Sequence, residues 1–127
     1  GIKTFTSFPV TPSNEPTSNY QVANKKYVDD NKGLGYGQTW KNVTSSRSFD
    51  VNYTNNTNKP IFVSCMGGTS TSGGNLAIFV DGVLVSINQH EAPGYYDHLE
   101  VSTIVPPNSS YKITNNGMTN IIWSELR

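Results

Sequence analysis

Charge is what this chain has least of. Only 14% of its 127 residues are charged, and nine basic residues balance nine acidic ones to a formal net charge of zero, where an average globular chain is about 25% charged. Without a basic stripe the surface has nothing to hold a phosphate backbone or an anionic bilayer, which excludes nucleic acid as a partner. Apolar runs are short as well, none near the roughly 20 residues that span a bilayer, so no membrane insertion is expected. Gly1 opens no secretory leader and reads as a fragment start. A single cysteine, Cys65, excludes an internal disulfide. Within PIFVSCM and with no histidine nearby, it reads as a small buried hydrophobe, not a nucleophile.

Catalytic signatures are missing too. There is no Gly-x-x-x-x-Gly-Lys loop, no Gly-x-Ser-x-Gly elbow and no cysteine pair for zinc, so no cofactor and no metal are expected. Sugar cleavage needs two carboxylates about 5 to 10 Å apart. Asp29 and Asp30 lie on a predicted helix, Asp81 in a tight turn and Asp50 on the outer face of a strand, which leaves Glu91, Asp97 and Glu100 as the one cluster. Short loops on a small β domain rarely form the deep cleft such chemistry requires, and the chain is read as no enzyme.

Serine, threonine and asparagine make up a third of the chain. In such a composition the sequons at Asn42, Asn52, Asn55 and Asn108 are coincidental. The length corresponds to one domain with a short appendage. Residues 1–18 hold Pro9, Pro12 and Pro16 without periodicity and predict an extended connector.

NYQVANKKYVDDN predicts the one helix, within residues 19–33. Thr17, Ser18 and Asn19 are its N-cap candidates, the start falls near Asn19, and Gly33 suits a left-handed C-terminal cap. Tyr20, Ala23 and Tyr27, spaced three and four apart with Val28 beside them, form a thin apolar stripe. A helix of roughly 12 residues with so narrow a stripe is marginal in water. It needs a partner.

Residues 34–127 predict an all-β domain, an antiparallel β-sandwich of about seven or eight strands at spacings of about 8 to 12 residues. QTWKNVT offers Trp40 to the core. SFDVNYT alternates Phe49, Val51 and Tyr53 against polar residues as a half-buried strand. IFVSCM is a more continuously buried strand behind Pro60, and Gly67–Gly74 a flexible loop. NLAIFVDGVLVSIN is a hairpin turning at Asp81-Gly82 by a type I′ turn. LEVSTIVP places Leu99, Val101, Thr103 and Val105 on one face, and the last strand brings Trp123 and Leu126 to the core.

Between these strands lies QHEAPGYYDH. Seven residues separate His90 and His98 in it, which fits no standard metal-ligand spacing, though a loop folding back or the copies in a symmetric oligomer could bring them together. Tyr95 and Tyr96, with His90, Glu91, Asp97 and His98, combine flat apolar rings with donors and acceptors. That chemistry suits stacking on sugar rings or anchoring a protein contact; packing of one tyrosine on the sandwich is the alternative. Gly67–Gly74 and TNNGMTN, with Met118 exposed at a turn, are further binding loops.

FPVTPSNEPTSNYQVANKKYVDDNKG resembles the segment preceding the C-terminal tip of bacteriophage tail fibre proteins, where a VANKKYVDD-type helix recurs. GYGQTWKNVTSSRSF, YTNNTNKPIFVS, the IFVDGVLVS hairpin, IVPPNSSYKI and WSELR are similar to the distal tip domain of such fibres and of related phage-like particles. The resemblance covers nearly the whole chain. It implies a homotrimer carried on the virion, whose tip binds a receptor on the bacterial surface: lipopolysaccharide, capsule glycan or an outer-membrane protein. Tyr20, Ala23 and Tyr27 would then meet the same residues of two sister chains. The loops that bind receptor vary in the family, so no binding residue carries over; His90, Glu91, Tyr95, Tyr96, Asp97 and His98 are assigned by their chemistry. A purely structural trimerisation module of a fibre is the alternative, and a polysaccharide depolymerase a more distant one.

Overall fold

The computed structural model describes residues 14, 16–17, 23–30, 32–92 and 94–127. The chain divides into two compact units, 1–32 and 33–127.

In the first unit the helix α1 spans Lys25–Asp30, later and shorter than predicted. The proposed start at Asn19, and Tyr20 with it, lie outside the described residues. The N-cap is Asn24: its Oδ1 accepts the Tyr27 N–H at 2.7 Å, the third-residue bond of an N-terminal cap. Ala23 precedes the helix and is exposed, while Tyr27 is half-buried within it. Lys25–Asp29 and Lys26–Asp30 pair one turn apart, and Lys32 reaches Asp29 at 2.8 Å. Hydrogen bonding from Lys25, then Lys32, lowers the Asp29 carboxyl to about 2. These pairs run lysine first and aspartate last, against the helix dipole, one physical reason for so short a helix. Gly33 does not take the left-handed conformation expected of it; Gly35 and Gly37 do, at φ 92° and 68°.

The second unit is mostly antiparallel β-structure. Its strands are β1 Trp40–Asn42, β2 Tyr53–Thr54, β3 Ile61–Thr69, β4 Asn75–Val80, β5 Val83–Gln89, β6 Asp97–Val105, β7 Ser110–Asn116 and β8 Thr119–Leu126. They form two four-stranded sheets, β1-β8-β3-β6 and β2-β7-β4-β5. Ile61, Val63, Cys65, Leu99, Val101, Val105 and Trp123 of the first sheet join Leu76, Ile78, Tyr111 and Ile113 of the second in one buried cluster. Ile61, Val63 and Cys65 of β3 and Leu99, Val101 and Val105 of β6 point into it, the alternation of a sheet with one face buried. Cys65 is fully buried, and desolvation pushes its thiol up to about 12.

The Asp81-Gly82 hairpin forms as predicted. Both residues take positive φ, 50° and 80°, as a type I′ turn requires. Other expectations shift. Trp40 is not in the core: its edge strand is exposed, the residue itself is 57% exposed, and its ring meets Phe62 edge-on at 5.8 Å. SFDVNYT is not a continuous strand. Asp50 turns the backbone at φ 62°, which breaks the alternation and leaves Val51 exposed, while Phe49 and Tyr53 both reach the Trp123 ring. Gly67 and Gly68 extend β3, and Met118 is buried. Leu126 is half-buried on the outer face, because its neighbour Glu125 takes the inward position.

Candidate functional site

Antiparallel pairing decides which loops share an end. Thr69 pairs with Asp97, Gly68 with Thr119, and Asn75 with both Gln89 and Asn116. The turn after β3, the loop after β5 and the β7–β8 turn therefore meet at one end of the second unit. Thr39 and Arg127 exchange backbone hydrogen bonds at the other.

Hydrogen bonds tie the three loops together. Gly73 N–H donates to the His90 carbonyl and His90 N–H to the Gly74 carbonyl, both at 2.8 Å. Ser72 Oγ donates to the Glu91 carbonyl at 3.1 Å, and Asn116 Nδ2 to the Gly73 carbonyl at 3.2 Å. Asn115 clamps the β7–β8 turn, accepting from Met118 N–H and donating to the Met118 carbonyl. The turn is possible because Gly117 takes φ 70°.

On this frame Tyr95 projects outward, 78% exposed. Tyr96 is braced. Its ring lies where a side chain on Gly68 would be, with the hydroxyl 2.1 Å from the position of a Cβ there. Only glycine admits the ring. Asn120 Nδ2 donates to Tyr96 Oη at 2.9 Å, and the His98 ring stands edge-on at 5.3 Å. Tyr96, His98 and Asn120 thus form a half-exposed aromatic and polar surface at the loop end. Gly68 and Asn120 were not foreseen; a glycine pair in an apolar strand, GG in CMGGTS, is the signal for close approach by a ring.

His90 lies differently from its neighbours. It is 5% exposed, its Nδ1 faces Asp97 Oδ2 at 3.6 Å, and its buried Nε2 meets no hydrogen-bond partner. It sits beneath the loop while Glu91, Tyr95, Tyr96, Asp97 and His98 sit on the surface. Two of the three clustered carboxylates are separated. Asp97 and Glu100 have opposite parity on β6, and Glu100 accepts from Ser64 Oγ at 2.8 Å on the outer face. Among the described residues no group of three or more His, Cys, Asp or Glu side chains is placed to hold a metal ion.

The most strongly paired polar group lies in the core. Glu125 is fully buried, with Arg47 bidentate on both oxygens at 2.9 Å, Arg127 on Oε2 at 2.8 Å and Tyr111 Oη on Oε1. Burial works to lower the Arg47 guanidinium, but the Glu125 hydrogen bonds and charge outweigh it and raise it. Desolvation first, then the Glu125 bond, pushes the Tyr111 phenol above its ordinary range. Strict alternation from Trp123 puts residue 125 inward, which is the sequence signal for this position. Comparison with known proteins finds no family model and no curated sequence that matches the chain.

Proposed function

We propose that the chain is the distal tip of a bacteriophage tail fibre: a homotrimeric β-sandwich, carried on the virion, that adsorbs to a receptor on the bacterial surface. The observation that carries this reading is the joining of three polar loops at the end remote from Thr39 and Arg127, with Tyr95 projecting and Tyr96 braced on Gly68. A support that holds the domain by its terminal end presents those loops outward. Flat rings beside amide and imidazole groups suit a glycan, which offers an apolar ring face and hydroxyls, or an exposed loop of an outer-membrane protein. Such sites are shallow, and several on one particle act together at high effective concentration. The tip binds without catalysis or cofactor, as the split carboxylates favour. The stripe at Tyr20, Ala23 and Tyr27 is proposed to join sister chains.

The test is binding of labelled protein to host cells. Replacing Tyr95 and Tyr96 together by alanine is expected to weaken binding at least tenfold with the far-UV spectrum and mass unchanged. Unchanged adsorption by the folded double variant overturns the site. A purely structural fibre module is the second reading, favoured by the uncharged, exposed strand β5; such a module binds no host cell.

A further inference from the structure

Charge is divided between the two ends of the second unit. Register brings residues 67–75, 86–100 and 114–122 to the loop end. These segments hold Glu91, Asp97 and Glu100 but no lysine or arginine. The basic residues of the unit, Lys41, Arg47, Lys59, Lys112 and Arg127, all lie toward the other end. Lys41 pairs with Glu125, Arg47 and Arg127 hold the Glu125 carboxylate, Lys59 stands just before β3, and Lys112 pairs with Phe79 late in β4. With its histidines neutral, the loop end is purely acidic.

The groups beside Tyr95 and Tyr96 keep hydrogen-bonding capacity of a particular kind. Among the described residues the Glu91 side chain has no hydrogen-bond or ion-pair partner, so its exposed carboxylate is free to accept. Asp97 Oδ1 accepts only the N–H of the next residue, His98, at 2.9 Å, and Oδ2 faces His90 Nδ1 at 3.6 Å. Tyr96 Oη accepts from Asn120 Nδ2, which leaves the phenol proton to donate outward. Thr71, Ser72, Asn116 and Asn120 surround them as exposed neutral donors and acceptors.

Resting on the receptor-binding reading above, we propose that the element this end takes is an uncharged glycan, not a phosphorylated or uronate-bearing one and not a protein loop. Glu91 and Asp97 repel an anion that comes within the screening length, about 8–10 Å at physiological salt, and no lysine or arginine at this end offsets them. A sugar hydroxyl both donates and accepts. It donates to Glu91 and Asp97, accepts from Tyr96, and exchanges both ways with the surrounding amides and hydroxyls, while the apolar ring face lies on Tyr95. A basic protein segment satisfies the two carboxylates alone and leaves the amides and hydroxyls around them without matching groups.

The experiment follows adsorption of the labelled 127-residue protein to host cells left untreated, oxidised with periodate, which cleaves the vicinal diols of sugars, or shaved with proteinase K. Untreated cells are also compared at about 50 and about 500 mM sodium chloride. Periodate is expected to reduce binding at least tenfold and proteinase to leave it within twofold. Salt is expected to leave it within threefold, because an uncharged ligand has no charge to screen. Glu91→Lys is expected to bind no tighter than wild type; if it lacks the wild-type far-UV spectrum, Glu91→Gln replaces it and is judged the same way. Binding that survives periodate or is lost to proteinase overturns the glycan and leaves receptor binding standing. A gain of threefold or more at high salt or in the Glu91 variant marks an anionic ligand, and an equal loss at high salt marks a basic one; either overturns the proposal. Wild-type protein that adsorbs under no condition overturns the receptor-binding reading itself, a pattern that none of the other outcomes gives.

Discussion

Glu125 shows how one residue fixes the inner face of a sheet. A fully buried carboxylate is tolerated only when its charge and lone pairs are matched, and here Arg47, Arg127 and Tyr111 match them. Glu125→Gln leaves two guanidinium groups without their counter-charge. A loss of about 3–5 kcal/mol in urea unfolding is expected; a loss under about 1 kcal/mol would show the network to be dispensable. Gly68 makes the opposite case. A methyl group there collides with the free end of the Tyr96 side chain, which can swing away, so Gly68→Ala is expected to cost less than about 1 kcal/mol in stability while reducing host-cell binding as far as Tyr96→Ala does. Full binding by Gly68→Ala argues that the braced position of Tyr96 is irrelevant to function.

At the scale of elements, the β4–β5 hairpin is held by its turn. Asp81 Oδ1 accepts from Ser110 N–H at 2.7 Å and from Ser110 Oγ at 3.2 Å. The Ser109 side chain, then Ser110 N–H, lowers its carboxyl below the ordinary 3.8. A carboxyl depressed on folding stabilises the protein above its unfolded value and loses that effect as pH falls through the folded one. Asp81→Asn keeps a residue that tolerates the left-handed turn and removes the charge. Its melting temperature is expected to fall below wild type at pH 7 and to converge with it near pH 2; parallel curves from pH 7 to pH 2 overturn the assignment. The hairpin and the strands around Cys65 and Leu99 were legible in the sequence, because turn chemistry and period-two alternation are local. Trp40 and Val51 were not. A large side chain on an edge strand and a residue just past a positive-φ turn look like core until the pairing is known.

For the whole molecule, the all-β class and the strand count follow from alternation and turn spacing, but which loops share an end follows only from register. Tyr95 and Tyr96 announced themselves by composition. Gly68 and Asn120 meet Tyr96 across more than 20 residues of sequence, and His90 is tied to Gly73 and Gly74 in the turn after β3; no local pattern reports either. The cap at Asn24 was not foreseen for a related reason: it is one of several asparagines in the stretch, and local propensity does not choose among them.

The strand order has a consequence for how the protein is made. β8, the last strand, lies between β1 and β3 in the middle of its sheet and carries Trp123 and Glu125 to the core. A ribosome that has delivered every strand but this one has produced a sheet with a gap at its centre, an unfilled core and an orphaned Arg47. Folding of the second unit therefore waits for residues 119–126, and chains cut short before them are expected to stay unfolded and open to proteolysis.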